Sequence, residues 1–156
     1  MDARLNPTTT VIGPKAMKHV VSADHALGGS TVPRATQELM KIRASQINGC
    51  GACLDMHIKE ALLAGEDPLR VGLVATWSET TVFTEAERAA LELTEQGSRL
   101  ADGGRVTDEA WADAARHYDE EQLTALVCVV AVINAFNRVN VMLGIRGGDY
   151  EPGHLG

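Results

Sequence analysis

From Pro14 onward, apolar residues recur every three or four positions in blocks separated by Gly, Pro or Asp, the spacing of amphipathic helices. Pro14 opens a first helix to about Leu27, with Ala16, Met17, Val20, Val21 and Ala26 on one side and Gly28-Gly29-Ser30 ending it. His19 and His25 fall on its surface. Pro33 leads into a second helix, about Arg34–Ile47, whose apolar positions are Ala35, Leu39, Met40, Ile42 and Ile47. A third, Cys50–Ala64, has Asn48-Gly49 as its start and Gly65 as its stop. A short apolar helix follows over Pro68–Ser78. Thr84 with Glu87 three residues on is a capping box that starts a helix to about Leu100. Thr107 caps another to about His117, with Asp108 and Glu109 at its positive end. The last helix spans Glu120–Leu143, and its first half is apolar all round, which requires a central position, a subunit interface, or both. A strand there is disfavoured by its length and by Asn134, Asn137, Arg138 and Asn140 on its later turns. The expected fold is an all-α single domain of six or seven helices: an arm over 1–13, a helical domain over 14–145 and a coil tail over 146–156.

Composition narrows the function classes. A chain of 156 residues with 45% apolar and 22% charged residues suits one soluble globular domain. A net charge of −7 argues against nucleic acid or an anionic membrane as the main partner, and 4% aromatics leave little for base stacking. The first residues lack the apolar run of a secretory signal. The run Leu123–Phe136 is short for a bilayer and is interrupted by Thr124 and Asn134. A cytoplasmic protein is expected, in which three cysteines point to catalysis or metal and not to a disulfide scaffold.

The chemistry concentrates in Cys50-Gly51-Ala52-Cys53 and His57. Offsets of three, four and seven put Cys50, Cys53 and His57 on one narrow stripe of one helix, with Cys50 in the first turn. The positive end of a helix favours thiolate over thiol, and a second cysteine one turn on can close a disulfide on the first product. His57 can take or relay a proton from Cys53. The helix dipole singles out Cys50 as the more acidic thiol, whereas nearness to His57 singles out Cys53. The plainer alternative is two small buried apolar residues and a solvated His. Glu38, beside Leu39 and Met40, reads by itself as a solvated charge. Cys128, within Leu126-Val127-Cys128-Val129-Val130, reads as a buried inert thiol. Trp77 and Trp111 read as packing residues. Asn137 and Arg138 suit a pocket lining, a subunit tie or a polar patch ending an apolar helix.

Glu38, eleven intervening residues, Cys50-x-x-Cys53, three more and His57 resembles the signature of the alkylhydroperoxidase AhpD-like proteins of the carboxymuconolactone decarboxylase-like superfamily. The flanking Glu38–Cys50 and Cys53–His57 text, Glu60-Ala61 and Asn134-Ala135-Phe136-Asn137-Arg138 are similar too. The likeness spans about 34–145, with a core motif over 34–78. It implies a helical hairpin carrying the cysteines and a peroxiredoxin-type oxidoreductase that reduces organic hydroperoxides or disulfides. By the same resemblance Cys53 attacks, Cys50 resolves, and Glu38 and His57 relay the proton, so Glu38 becomes a buried acid facing the cysteines. It further implies an external dithiol or lipoyl-type reductant and a homo-oligomer (trimer or hexamer); no cofactor or metal is expected. Gly51-Ala52 departs from members that carry a further polar or His residue between the cysteines.

Three other readings compete. Cys50, Cys53, His57 and Glu38 offer a zinc donor set, though no second Cys/His cluster accompanies it. A lactone decarboxylase would share the superfamily, but that branch does not depend on a cysteine pair. A non-catalytic helical assembly would leave the dithiol unreactive.

Overall fold

The computed structural model describes residues 3–153 and is helical, with no strand among the described residues. Its helices are α1 (Ile12–Gly28), α2 (Arg34–Asn48), α3 (Gly51–Leu63), α4 (Pro68–Leu73), α5 (Glu85–Ser98), α6 (Asp108–Ala114) and α7 (Glu120–Leu143). α1 starts two residues before Pro14. A proline is tolerated anywhere in a first turn, because those N–H groups have no intrahelical partner. The predicted arm is not wholly extended: Pro7–Thr9 forms a 3₁₀ turn, and Arg4 N donates to Leu143 O (2.8 Å), tying the arm to the end of α7. The helix expected over Pro68–Ser78 breaks after Leu73 into a 3₁₀ segment, Val74–Glu79, kinked at Thr76. Both predicted caps hold: Thr84 and Glu87 form the reciprocal box, and Thr107 Oγ1 accepts from Ala110 N.

α2 is the hub and packs against α3, α5 and α7. On one side Met40 joins Leu93, Leu126 and Val129 in a core shared by α5, α6 and α7. On the other, Leu39 and Ile42 meet Ala61, Val74, Trp77 and Phe83. A third, small cluster of Ala44, Cys50, Cys53 and Ile133 lies where α2, α3 and α7 meet.

α7 is 24 residues long and, contrary to the sequence expectation, long and apolar enough by length and composition to cross a membrane. Here it packs against α1, α2, α3 and α5. One face stays open, with Val127, Val141 and Met142 exposed. Cys128 lies on that face and is exposed, which corrects the expectation of a buried thiol. Trp77 packs in the core, but Trp111 is 44% exposed over the outer groove that Val127 also lines. An all-round apolar helix carries no moment to say which side its partners cover.

Arg70 joins α4 to α5. Its guanidinium bonds Glu66 Oε1 (2.9 Å) and Glu87 Oε1 (2.6 Å), reaches the Val82 carbonyl and lies 5.1 Å over the Phe83 ring. Replacing Arg70 by Ala strands two largely buried carboxylates and is expected to cost about 2–3 kcal/mol. A lowered urea midpoint with unchanged slope is the expected result, recovered only in part by Arg70→Lys, which cannot make the forked contact.

Candidate active site

α2 and α3 form a tight hairpin. Asn48 is the last residue of α2 and not a start for α3; Gly49, at φ 65°, takes the left-handed cap between them. The reversal lets Cys50 N donate to Ser45 O (2.9 Å). Cys50 is therefore the N-cap of α3, one residue before the first turn where the spacing had put it. As in any N-cap, its side chain turns onto the free amides: Cys50 Sγ accepts from Cys53 N at 3.4 Å. The two sulfurs are unbonded and 2.7 Å apart, and both residues are buried.

Cys53 lines a cavity of about 680 Å³, together with Glu38, His57 and Asn140 and the apolar Ile133 and Phe136. Cys50 lies behind it. Glu38, a solvated charge by sequence pattern alone, is 5% exposed, and its Oε2 sits 2.9 Å from His57 Nδ1. The structure thus brings three of the four predicted residues, Cys53, His57 and Glu38, to one cavity, with the fourth, Cys50, against Cys53.

Three further residues join them. Asn140 Nδ2 donates to Cys53 Sγ at 3.3 Å. Lys41 Nζ lies 2.9 Å from Asp24 Oδ1 and 3.6 Å from Glu38 Oε1. Lys41 was visible in principle, since it follows Glu38 by three residues on a helix. Asn134, Asn137 and Asn140 also repeat every three residues, a polar row down an apolar helix. Asp24, contributed by α1, had no signal in the sequence. Asn137 is fully buried, donating to Ser45 Oγ (3.0 Å) and accepting from Asn48 Nδ2 (3.0 Å), so it anchors the hairpin to α7. Arg138 is exposed and holds Asn134 Oδ1 at 2.7 Å. His19 and His25 lie on the surface, His25 at the cavity rim.

The C-terminal tail, expected as coil, straps across α3. Gly148 N and Tyr150 N donate to Asp55, and Tyr150 Oη donates to Glu60 Oε1 (2.6 Å). Gly147 must be glycine, because a Cβ there would lie 2.3 Å from Gly51 O. Lys59 and these backbone amides hold the Asp55 carboxyl down to about 2.

The electrostatics divide the pair. Donation from the Cys53 thiol, opposed by burial and helped by the Cys53 amide, Asn140 and Asn137, holds Cys50 down to about 6. Cys53 is pushed up by donating to Cys50 and by burial. Of the two thiols Cys50 is thus the more acidic and Cys53 the less, the order that the helix-dipole argument expects. Burial pushes Glu38 up, but the His57 hydrogen bond and charge, then Lys41 and Arg34, outweigh it and hold the carboxyl below the ordinary range. Among the described residues no group of three or more His, Cys, Asp or Glu is arranged to hold a metal ion. Glu38 and His57 are instead turned onto each other.

The sequence profile of the carboxymuconolactone decarboxylase family matches residues 14–96, more than half of the chain and every site residue described above except those of α7. The uncharacterized protein YdfG of Bacillus subtilis is 39% identical over 135 residues, covering 86% of this chain and 91% of YdfG. The crystal structure of ATU0492 from Agrobacterium tumefaciens, a protein of unknown function with a suggested role as an antioxidant defence protein AhpD, is similar with a TM-score of 0.86. It is 29% identical and covers 96% of this chain and 100% of its own. The debrominase Bmp8 shares the fold at a TM-score of 0.78 and 19% identity, over 87% of this chain and 73% of its own. With the hairpin, the dithiol and the helical architecture in place, the chain belongs to the carboxymuconolactone decarboxylase family as an AhpD-like protein.

Proposed function

We propose that this protein is a thiol-dependent oxidoreductase that reduces organic hydroperoxides through Cys50 and Cys53. One observation carries the reading: an unbonded dithiol caps α3 beside a buried Glu38–His57 pair, and only its Cys53 sulfur lines the cavity. The apolar walls at Ile133 and Phe136 suit the organic part of a hydroperoxide.

The division of charge assigns the steps. With Nδ1–H of His57 donated to Glu38, Nε2 is the nitrogen left to accept the Cys53 proton. The Cys53 sulfur attacks the distal peroxide oxygen while Asn140 Nδ2–H stabilises its charge. The O–O bond breaks, an S–O bond forms, and His57 returns the proton to the leaving alkoxide, giving an alcohol and a Cys53 sulfenic acid. Cys50, already the charged partner, attacks that sulfur and expels hydroxide, leaving a Cys50–Cys53 disulfide. The peroxide is reduced by two electrons and the dithiol oxidised by two. An external dithiol or lipoyl-type donor then restores the pair. The open apolar face of α7, with Val127, Val141 and Met142, supports assembly as a homo-oligomer.

Thiol titration of the denatured protein tests this. Three titratable cysteines are expected before treatment and one, Cys128, after one equivalent of cumene hydroperoxide. Dihydrolipoamide should restore three. Three thiols after peroxide treatment would refute the reading.

A further inference from the structure

Lys41 is a buried ammonium that the steps above leave unused. It is 7% exposed and reaches two carboxylates, Asp24 Oδ1 at 2.9 Å and Glu38 Oε1 at 3.6 Å. A charge is costly to bury unless it is paired, and Lys41 sits where its pairing reaches the reactive sulfur in two steps. Glu38 Oε2 lies 2.9 Å from His57 Nδ1, and His57 shares the cavity with Cys53.

The protonation of Glu38 decides the tautomer of His57. An ionised carboxylate accepts from Nδ1–H, and Nε2 keeps the lone pair that can take a proton from Cys53. A protonated carboxyl donates to Nδ1 instead, which puts the ring hydrogen on Nε2 and removes the base. Burial alone would push Glu38 toward the protonated form. We propose that Lys41 is a positioning residue that keeps Glu38 ionised and so holds His57 as the tautomer able to deprotonate Cys53, and that Asp24 of α1 tempers this by competing for the same ammonium. The inference rests on the thiolate chemistry assigned above.

The charged and titratable surroundings are known from each side. α1 contributes Asp24 and His25, α2 contributes Arg34 and Lys41, and α3 contributes His57 and Cys53. From α7 the cavity receives the uncharged Asn140, Ile133 and Phe136. Lys41 is the cation nearest Glu38 among these that is itself buried, whereas the Arg34 side chain is 57% exposed and contacts Glu60 at 3.7 Å. Removing Lys41 and removing Asp24 should therefore act in opposite directions, which a general loosening of α1 against α2 would not produce.

The test is the rate of Cys53 alkylation by iodoacetamide against pH, in the full chain carrying Cys128→Ser so that the exposed thiol is silent, with the modified residue identified by peptide mass. Lys41→Met should move the acid limb to higher pH by about one unit or more, so that the rate on that limb is about tenfold lower at a given pH and recovers at higher pH. Lys41→Arg should restore the original limb. Asp24→Asn should move the limb lower. A limb that ignores Lys41→Met, or that rises in both Lys41→Met and Asp24→Asn, overturns the proposal. A parent pair that alkylates like an ordinary thiol would overturn this proposal and the thiolate chemistry together; a fast parent pair whose limb ignores Lys41 would overturn this one alone.

Discussion

Cys53→Ser is expected to abolish hydroperoxide reduction, lowering the rate by about three orders of magnitude or more, because a serine hydroxyl at this position has neither the acidity nor the nucleophilicity of the thiol. Cys50→Ser should behave differently. It keeps the sulfur that faces the cavity, so one equivalent of peroxide should still be consumed, and the enzyme should stop as a Cys53 sulfenic acid that a dimedone-type probe can trap. The contrast is worth measuring because the resting charge and the reactive position fall on different sulfurs. Cys50 is held down to about 6, yet Cys53 is the one lining the cavity. Stopped-flow peroxide consumption by the two variants separates the roles. If Cys53→Ser retains the burst and Cys50→Ser loses it, the assignment is reversed and the charged sulfur is the attacker.

Glu38→Gln should slow the first step by about 10²–10³-fold at neutral pH, the usual scale for losing an acid–base group. Glutamine fills the same space, but it is neutral and offers an N–H toward His57, so the ring is no longer held with Nδ1–H donated. The same variant should lose stability in a pH-dependent way. The folded-state pKa of Glu38 lies below its ordinary 4.5, so its contribution is present above that value and fades as pH falls through the folded one. The stability gap between the parent and Glu38→Gln should accordingly be widest near neutral pH and narrow on acidification below about pH 4.5. Urea unfolding at pH 7 and pH 4 measures it. A gap that widens in acid would mean that Glu38 is protonated in the folded protein, and the proton relay would lose its base.

What was legible in the chain was whatever depends on neighbours within one helix. Offsets of three, four and seven align Cys50, Cys53 and His57 without reference to anything else in the fold. The Thr84–Glu87 box and the Thr107 cap satisfy amides three residues away, so their partners are local too. The family resemblance supplied Glu38, and the structure places it against His57.

Small displacements at element ends were not legible. The left-handed turn at Gly49 moves Cys50 from the first turn of α3 to its cap, and the kink at Thr76 cuts a predicted helix short. These are choices between nearly equal local conformations, made by the packing on either side.

Three matters were left to tertiary structure alone. Asp24 meets Lys41 across a contact between α1 and α2, Asn140 reaches Cys53 from a helix 87 positions further along, and Cys128 and Trp111 lie outside the core. Periodicity tells which residues share a face; it does not tell which face meets another helix, and in a helix as apolar all round as α7 it does not even single out a face. The order of the helices around α2 therefore decided which carboxylate, which amide and which ammonium stand beside the two sulfurs.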